Sequence, residues 1–316
     1  MQKGHGAGIT AALTSAAFLG LLPVFGKLSI NAGFSPLAVV ALRTALAAVT
    51  VLLFVVLFYR PYLYIFPVGL LGCLLAGLIN GLGSILYYMA LDRLTASLGQ
   101  VLYSLYPFFV AVWLLLDHQP ISRLSVARIC LATLAVLFLT YLPVHRVDPI
   151  GVLMMLGAAA MYGLHLPINQ RVLYEVPAPT VTLYTLLAMS AVVVPVYLIF
   201  DHHIPNASLN WWPVLWLSFL TLLSRLTLFL GVKRIGGMQT ALLGLAELLI
   251  TITFGHIWLH DQLLWSQWLG VAVLCASLLL VGYERPHSLQ EGSRSGWLSW
   301  IRPPEIPGDI PWGPHE

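Results

Sequence analysis

Runs of apolar residues recur along the whole chain, separated by short breaks that contain charged residues, proline or asparagine. Each run is about twenty residues long. At 1.5 Å per helical residue, a helix of that length crosses the roughly 30 Å hydrocarbon core of a bilayer. The pattern therefore predicts an all-α polytopic membrane protein with ten transmembrane helices. They are expected at residues 7–30, 36–59, 65–91, 95–116, 124–143, 149–173, 179–200, 212–232, 237–259 and 264–283.

The composition agrees with a membrane protein and excludes other classes. Hydrophobic residues make up 59% of the 316 residues and charged residues only 9%, whereas a soluble domain carries about 25% charged residues. The basic residues are not clustered, so no nucleic-acid partner is expected. No cofactor or metal is predicted either. Cys73, Cys130 and Cys275 are far apart in apolar segments, and "DHH" at 201–203 lacks further ligands at a metal-site spacing.

The composition changes after Glu284, where the chain becomes rich in proline, glycine and charge. Residues 286–316 are therefore predicted to form a disordered cytoplasmic tail. The stretch "GWLSWI" within it has an alternative interpretation, a segment that rests at the membrane interface.

The positions of lysine and arginine predict the orientation. With a cytoplasmic N-terminus and ten alternating helices, Lys27, Arg93 and Arg146 lie outside. Ten basic residues lie on the cytoplasmic side: Lys3, Arg60, Arg123, Arg128, Arg171, Lys233, Arg234, Arg285, Arg294 and Arg302. This excess follows the positive-inside rule. We therefore expect a multi-pass protein of the inner (cytoplasmic) membrane with both termini in the cytoplasm.

The two halves of the chain resemble each other. "ALDRLTASLGQVLYSLYPFF" (90–109) and "GVKRIGGMQTALLGLAELLI" (231–250) each contain a helix end, a basic residue, small residues and a new apolar helix. The basic residues, Arg93 and Arg234, are 141 residues apart.

This similarity divides the chain into two five-helix repeats, residues 1–145 and 146–285. Because five is an odd number, the two repeats must enter the membrane from opposite sides. Inverted repeats of this kind are a transporter architecture, in which the binding site lies near the midplane between the halves.

Pro23 and Pro167 occupy matching places in the first and sixth segments, since "GLLPVFGK" (20–27) resembles "LHLPINQR" (164–171). Helices interrupted at corresponding positions of two repeats point to a transporter binding site, so both prolines are candidate helix breaks. The alternative is that they only kink packed helices, as many membrane prolines do. The matched pair favours the functional interpretation.

The order and duplication of these motifs resemble the drug/metabolite transporter superfamily, of the EamA-domain type. The resemblance also includes "FGKLSINAGFSPLAVVALRTALAAV" in the first two segments and "LHDQLLWSQWLGVAVLCASLLLVG" late in the second repeat, and it covers about 7–283. Members of that family are secondary carriers and exporters of small metabolites, including amino acids and drugs. The resemblance therefore implies a secondary transporter.

Glu247 is an ionisable residue close to the middle of the ninth predicted segment. A charge at the bilayer centre costs at least about 2.5–3.5 kcal/mol, so it needs a partner or a cavity. Arg225 lies at nearly the same depth in the eighth segment, and an ion pair between the two is one interpretation. The other is an unpaired Glu247 that binds and releases a proton during transport. Tyr106 occupies the matching position in the first repeat.

Two more ionisable residues lie inside predicted helices. Arg43 is a candidate contact for a substrate carboxylate, because a guanidinium can hold a carboxylate through two parallel hydrogen bonds. Snorkelling towards the interface is the alternative. His165 is a candidate substrate contact, and a hydrogen-bonded packing histidine is the alternative.

Polar aromatic residues are candidates for the walls of a binding site. Gln100, Tyr103 and Tyr106 recur at three-residue spacing and share one helix face. The other candidates are Tyr87, Tyr88, Trp113, Tyr162 and Asn169. Such a face suits a small amphipathic metabolite, and a helix-packing stripe is the alternative interpretation.

Together these observations predict a secondary transporter that exports a small metabolite, such as an amino acid, by alternating access, with proton coupling as an option. The alternative is a lipid-handling flippase-like carrier or a channel. A membrane-embedded enzyme is not expected, because no G-x-S-x-G, H-E-x-x-H or paired intramembrane carboxylates occur. The expected partners are a small-molecule substrate and the lipid bilayer. The expected oligomeric state is a monomer, with a dimer as the alternative.

Overall fold

A computed structural model describes residues 2–118, 121–140, 148–201, 209–259, 269–270, 272–273, 276, 280, 296 and 298–301. Every regular element among these residues is a helix. The α-helices are α1 (Gln2–Asn31), α2 (Pro36–Phe58), α3 (Pro67–Arg93), α4 (Ala96–Tyr103), α5 (Tyr106–Leu116), α6 (Arg123–Thr140), α7 (Pro149–Leu173), α8 (Ala178–Phe200), α9 (Trp212–Ile235), α10 (Gly237–Gly244) and α11 (Ala246–Leu259). A short 3₁₀ helix, Arg60–Leu63, precedes α3.

Eight of the predicted segments are long and apolar enough to cross a bilayer, which confirms a polytopic helical membrane protein. The fifth predicted segment forms α6, although the side chains of 135–140 lie outside the described residues. Most of the tenth segment, 264–283, also lies outside them. The count of ten therefore stays a prediction.

Three helices begin at capping residues that end polar breaks in the sequence. Ser35 Oγ accepts a hydrogen bond from Ala38 N at 3.1 Å, and Thr95 Oγ1 accepts one from Leu98 N at 3.3 Å. Asp148 Oδ1 caps α7 in the same way. Each side chain satisfies a backbone N–H that the first turn of a helix leaves without a partner, and so it fixes where the helix starts.

The two matching loops of the repeats lie at opposite ends of the bundle. Arg93, at the end of α3, binds Asp148 at the start of α7. The loop between α9 and α10 lies at the other end of α7, where Gly237 N donates to Gln170 Oε1 at 2.7 Å. This is the relation that inverted repeats require. We call the Asp148 end the outer end and the Gln170 end the inner end, after the predicted orientation.

The two repeats pack against each other along most of their length. In the described residues α1 lies along α9, α2 along α8, and α3 along α7 and α8. Small residues permit this close approach: a Cβ atom added at Gly77 of α3 would lie only 2.7 Å from Thr185 O of α8. The space between the repeats is therefore lined by residues of both.

The prediction that Pro23 and Pro167 break their helices is wrong. Both α1 and α7 continue through the proline. A proline removes one N–H from the helical hydrogen bonds, and neighbouring helices in a membrane bundle can compensate for the loss. Next to Pro23, the Thr251 Oγ1 hydroxyl of α11 donates to the Gly20 carbonyl of α1 at 2.6 Å. Gly20 follows Leu19, whose carbonyl receives no backbone hydrogen bond from Pro23.

The helix breaks occur instead in the fourth and ninth predicted segments. The fourth is interrupted at 104–105, between α4 and α5, and the ninth at Leu245, between α10 and α11. The first break is followed by Pro107, which has no N–H and restricts the residue before it. The breaks contact each other, because Tyr106 Oη donates to Ala241 O at 3.0 Å. They are therefore matched in the repeats and adjacent in space.

Part of the predicted disordered tail is folded onto the inner end. Gly296 and residues 298–301 form a turn, in which Leu298 is fully buried and Ile301 is 5% exposed. Both side chains join the core cluster that contains Cys73 and Val172. Leu298 and Ile301 of "GWLSWI" therefore cover a protein surface, which composition alone does not reveal. The rest of the predicted tail lies outside the described residues.

Candidate functional site

A small polar cavity of about 40 Å³ lies between the two repeats, near the helix breaks. It is lined by Leu19, Leu22, Arg43, Asn80, Gly83, Ser84, Tyr87, Tyr88, Gln100, Tyr103, Ala158, Tyr162, Arg225 and Glu247. The lining comes from both repeats and extends from the middle of α3 towards the outer end.

The cavity unites most of the residues that the sequence singled out. Arg43, Gln100, Tyr103, Tyr162, Arg225 and Glu247 all line it. Tyr106, His165 and Asn169 are buried beside it and do not belong to its lining. For these three the geometry favours a supporting position over contact with a substrate.

Glu247 lies in the first turn of α11, directly after the break in the ninth segment. It is 2% exposed, and its Oε1 has no hydrogen-bond partner. The Gln100 side chain interacts with the carboxyl group, and Tyr87 Oη donates to Gln100 Oε1 at 3.1 Å. The positive end of the α11 dipole is favourable for a negative charge here. The site therefore presents a carboxyl group with one oxygen still able to bind.

Arg225 is bound by neutral side chains rather than by the carboxylate. Its Nη1 lies 3.3 Å from His165 Nε2. In the amide orientation that satisfies both groups, Asn80 Oδ1 accepts from Arg225 Nη2 at 2.9 Å. Within the part of the chain that the structure describes, no ion pair closer than 4.0 Å joins Arg225 to Glu247. Of the two interpretations of Glu247, the direct ion pair is therefore not found among these residues, although both groups face the same cavity.

Arg43 is also held by neutral partners. Its Nη1 donates to Thr221 Oγ1 and its Nη2 to Ser84 Oγ, both at 3.2 Å. The guanidinium lies 4.8 Å from the centre of the Tyr88 ring, a cation–π contact. Arg43 is 3% exposed, so it does not snorkel to the interface. Two guanidinium groups thus converge on one cavity with one carboxyl group.

Asn80 and Ser84 are the residues that sequence reasoning missed. They lie one turn apart on α3, and each orients one of the two arginines. The available signal was a pair of polar residues four apart in "INGLGS". Their small, glycine-rich surroundings are typical of helix packing and hid that signal.

The tyrosine side chains form a contiguous aromatic wall. Tyr103 lies 4.9 Å from Tyr87 and 5.3 Å from Tyr162, measured between ring centres. Tyr106 packs edge-to-face against Tyr162 at 4.9 Å on the inner side of the wall. Aromatic rings at these distances hold each other in place. The wall therefore gives the cavity a rigid aromatic side, and the Arg225 guanidinium lies over one of its rings, 5.6 Å from the centre of Tyr162.

His165 and Asn169 support this site from behind. His165 Nδ1 lies 2.9 Å from Tyr162 O, which leaves Nε2 facing Arg225. Asn169 Nδ2 donates to His165 O at 2.9 Å. Both side chains are fully buried. They fix the position of the Arg225 guanidinium relative to α7.

Inverted helical repeats with a charged cavity between them define a class, the polytopic membrane transporters. The model of the EamA-like transporter family matches residues 6–141 and 149–283, one match for each repeat. The chain belongs to the EamA-like transporter family, which confirms the resemblance to the drug/metabolite transporters. It is thus a multi-pass membrane transporter.

Further comparisons support the fold alone. One solved structure, described only as the crystal structure of a protein, superposes with a TM-score of 0.68 at 14% sequence identity. The superposition covers 90% of this chain and 97% of that one. No curated protein sequence matches this chain.

Proposed function

We propose that the protein is a secondary transporter that exports a small zwitterionic metabolite, such as an amino acid, by alternating access. The observation that carries the proposal is the convergence of Arg43, Arg225 and Glu247 on one cavity between the repeats. With the carboxyl group ionised, these residues give the lining a net charge of +1. A zwitterion places both of its charges against opposite ones in such a site.

The proposed contacts follow from the geometry of the charged groups. The two guanidiniums would bind the carboxylate of the substrate, since charge-assisted hydrogen bonds from arginine are strong and directional. Glu247 Oε1, which has no hydrogen-bond partner, would accept a hydrogen bond from the substrate's ammonium. Tyr103 and Tyr162 would pack against its apolar part.

Proton coupling through Glu247 is the finer part of the proposal. A buried carboxyl group without an ion pair is less costly in its neutral form. An arriving ammonium would favour the ionised form and release the proton. Substrate and proton would then occupy the site in alternation, which is the basis of exchange across the membrane.

The test is counterflow in proteoliposomes with labelled zwitterionic, anionic and cationic metabolites. We expect saturable exchange of zwitterions by the wild type. Arg43→Lys and Glu247→Gln should each lower it about 10-fold or more, because each loses a charge-assisted contact worth about 1.5–3 kcal/mol.

The matched controls are Arg60→Lys and Glu175→Gln, which change exposed residues at the inner end and should leave exchange unchanged. Unsaturable flux would instead indicate a channel. Normal transport by Glu247→Gln under an imposed pH gradient would contradict proton coupling.

A further inference from the structure

The inner end of the bundle contains an interaction that the transport site does not use. Gly296 and residues 298–301, which we call the C-terminal turn, are held by two backbone hydrogen bonds of their own. Leu298 N also donates to Asp117 Oδ1 at 2.9 Å. Asp117, at the end of α5, is fully buried. A segment far along the chain therefore binds a buried carboxylate at the end of α5, in the first repeat.

The same carboxylate joins the two repeats. Asp117 Oδ2 accepts from Arg171 Nη2 of α7 at 2.7 Å. One side chain thus connects α5 of the first repeat, α7 of the second repeat and the C-terminal turn. Charge-assisted hydrogen bonds between buried groups are strong. Removal of one partner is destabilising because the desolvation penalty of the other is no longer offset by this bond.

Apolar contacts place the turn on the seam between the repeats. The side chains of Ile301 and Val172 both lie against Gly72 of α3. Leu298 and Ile301 belong to one core cluster with Leu166 and Tyr106, which fills the bundle between the cavity and the inner end. This cluster closes the inner side of the cavity, and the C-terminal turn is part of it.

The backbone of Gly296 fits this place for two independent reasons. Its φ is +98°, in the region that glycine adopts readily and other residues rarely do. A Cβ atom added at Gly296 would also overlap the backbone and side chain of Asp117. A larger residue at this position is therefore incompatible with the docked turn.

We propose that the C-terminal turn is a built-in strap, an intramolecular ligand for the seam between α3, α5 and α7 that holds the inner end closed. Opening of the inner end separates α5 from α7, so the turn must leave Asp117 and the Gly72 surface first. The inference rests on the proposed transport function, because alternating access requires the inner end to open.

Cys73 provides a native reporter of that opening. It lies on α3 next to Gly72 and is fully buried in the same cluster as Leu298 and Ile301. In a Cys130→Ala/Cys275→Ala background, the rate at which a water-soluble maleimide modifies Cys73 in nanodiscs measures exposure of the inner end. The assay contains no substrate.

We expect Gly296→Ala to raise the Cys73 modification rate about fivefold or more, because a loss of about 1 kcal/mol changes an opening equilibrium by that factor. Leu298→Asn should act in the same direction through a different contact. The controls are Gly6→Ala, where an added Cβ meets open space, and Trp300→Ala, whose side chain is 42% exposed. Neither should change the rate.

The two proposals fail in different ways. Unchanged Cys73 modification in Gly296→Ala and Leu298→Asn would overturn the strap, whatever the counterflow result. Increased modification together with absent counterflow in the wild type would support the strap and overturn the proposed substrate. A rise in all four variants would show general loosening and would also overturn the strap.

Discussion

Two ion pairs in the described part of the chain join the repeats, one at each end of the bundle. They have nearly the same length, 2.7 Å for Arg171–Asp117 at the inner end and 2.8 Å for Arg93–Asp148 at the outer end. Their exposure differs: the side chains are 2% and 0% exposed at the inner end but 42% and 29% at the outer end. The two pairs therefore have similar N–O distances, but only the outer pair is in contact with solvent.

Burial decides what each pair can do. Water and salt screen the outer pair, so it contributes little to stability. The inner pair has no such screening, and separation of its charges in a buried setting is costly. For the proposed transport cycle we therefore expect easier opening at the outer end, towards which the cavity also extends.

The largest effect is expected from removal of one charge of the inner pair. Asp117→Asn breaks a buried charge pair by removing its negative partner and should lower the free energy of unfolding by about 3–5 kcal/mol. The measurement is thermal unfolding in a fixed detergent. The double variant Asp117→Asn/Arg171→Gln removes both charges and should recover part of the loss. No recovery would show that the charges are not coupled.

An intermediate effect is expected from the hydrogen bonds to the two cavity arginines, which lie midway between the two ends of the bundle. Asn80→Ala and Ser84→Ala each remove one partner of a cavity arginine and should cost about 1 kcal/mol. The arginines remain, so the half-saturating substrate concentration in counterflow should rise about fivefold with little change in the maximal rate. An equal loss of maximal rate and stability would indicate a purely structural position.

The smallest effect is expected at the outer pair. Asp148→Asn removes the charge but keeps an oxygen that can cap α7, so transport should not change. The Arg93 hydrogen bond holds the pKa of Asp148 below its ordinary value of 3.8. The stabilisation is therefore present above that value and is lost as the pH falls through the lower, folded pKa.

The check is thermal unfolding of the wild type and Asp148→Asn at neutral pH, in low salt and in 1 M salt. The small difference at low salt should disappear at high salt. A large difference that persists in salt would contradict the contrast between the two ends.

The sequence predicted the helices and the repeats because both depend on local patterns. Runs such as α2 and α3 are apolar enough to specify a span on their own. The offset between the repeats also matched Tyr106 with Glu247, and these residues do follow the two helix breaks. The prediction of breaks at Pro23 and Pro167 failed because a helix can continue through a proline where neighbouring helices satisfy the freed backbone groups.

The details of the site were less accessible from sequence. The partners of Arg225 are on α3 and α7, and no local pattern shows that Asn80 and His165 will reach the guanidinium before Glu247 does. The docked C-terminal turn likewise depends on a tertiary contact with Asp117. Both features arise from helix packing between the repeats.

The contact between the two broken helices has a mechanical consequence. Tyr106 and Ala241 join the two breaks, and in the proposed alternating-access motion the repeats would rotate about an axis near this contact. Points near an axis hardly move, while a rotation of about 10° displaces the ends, about 15 Å away, by about 2.6 Å. Glu247 directly follows one of these breaks, so its site would keep its geometry while the two ends of the bundle move.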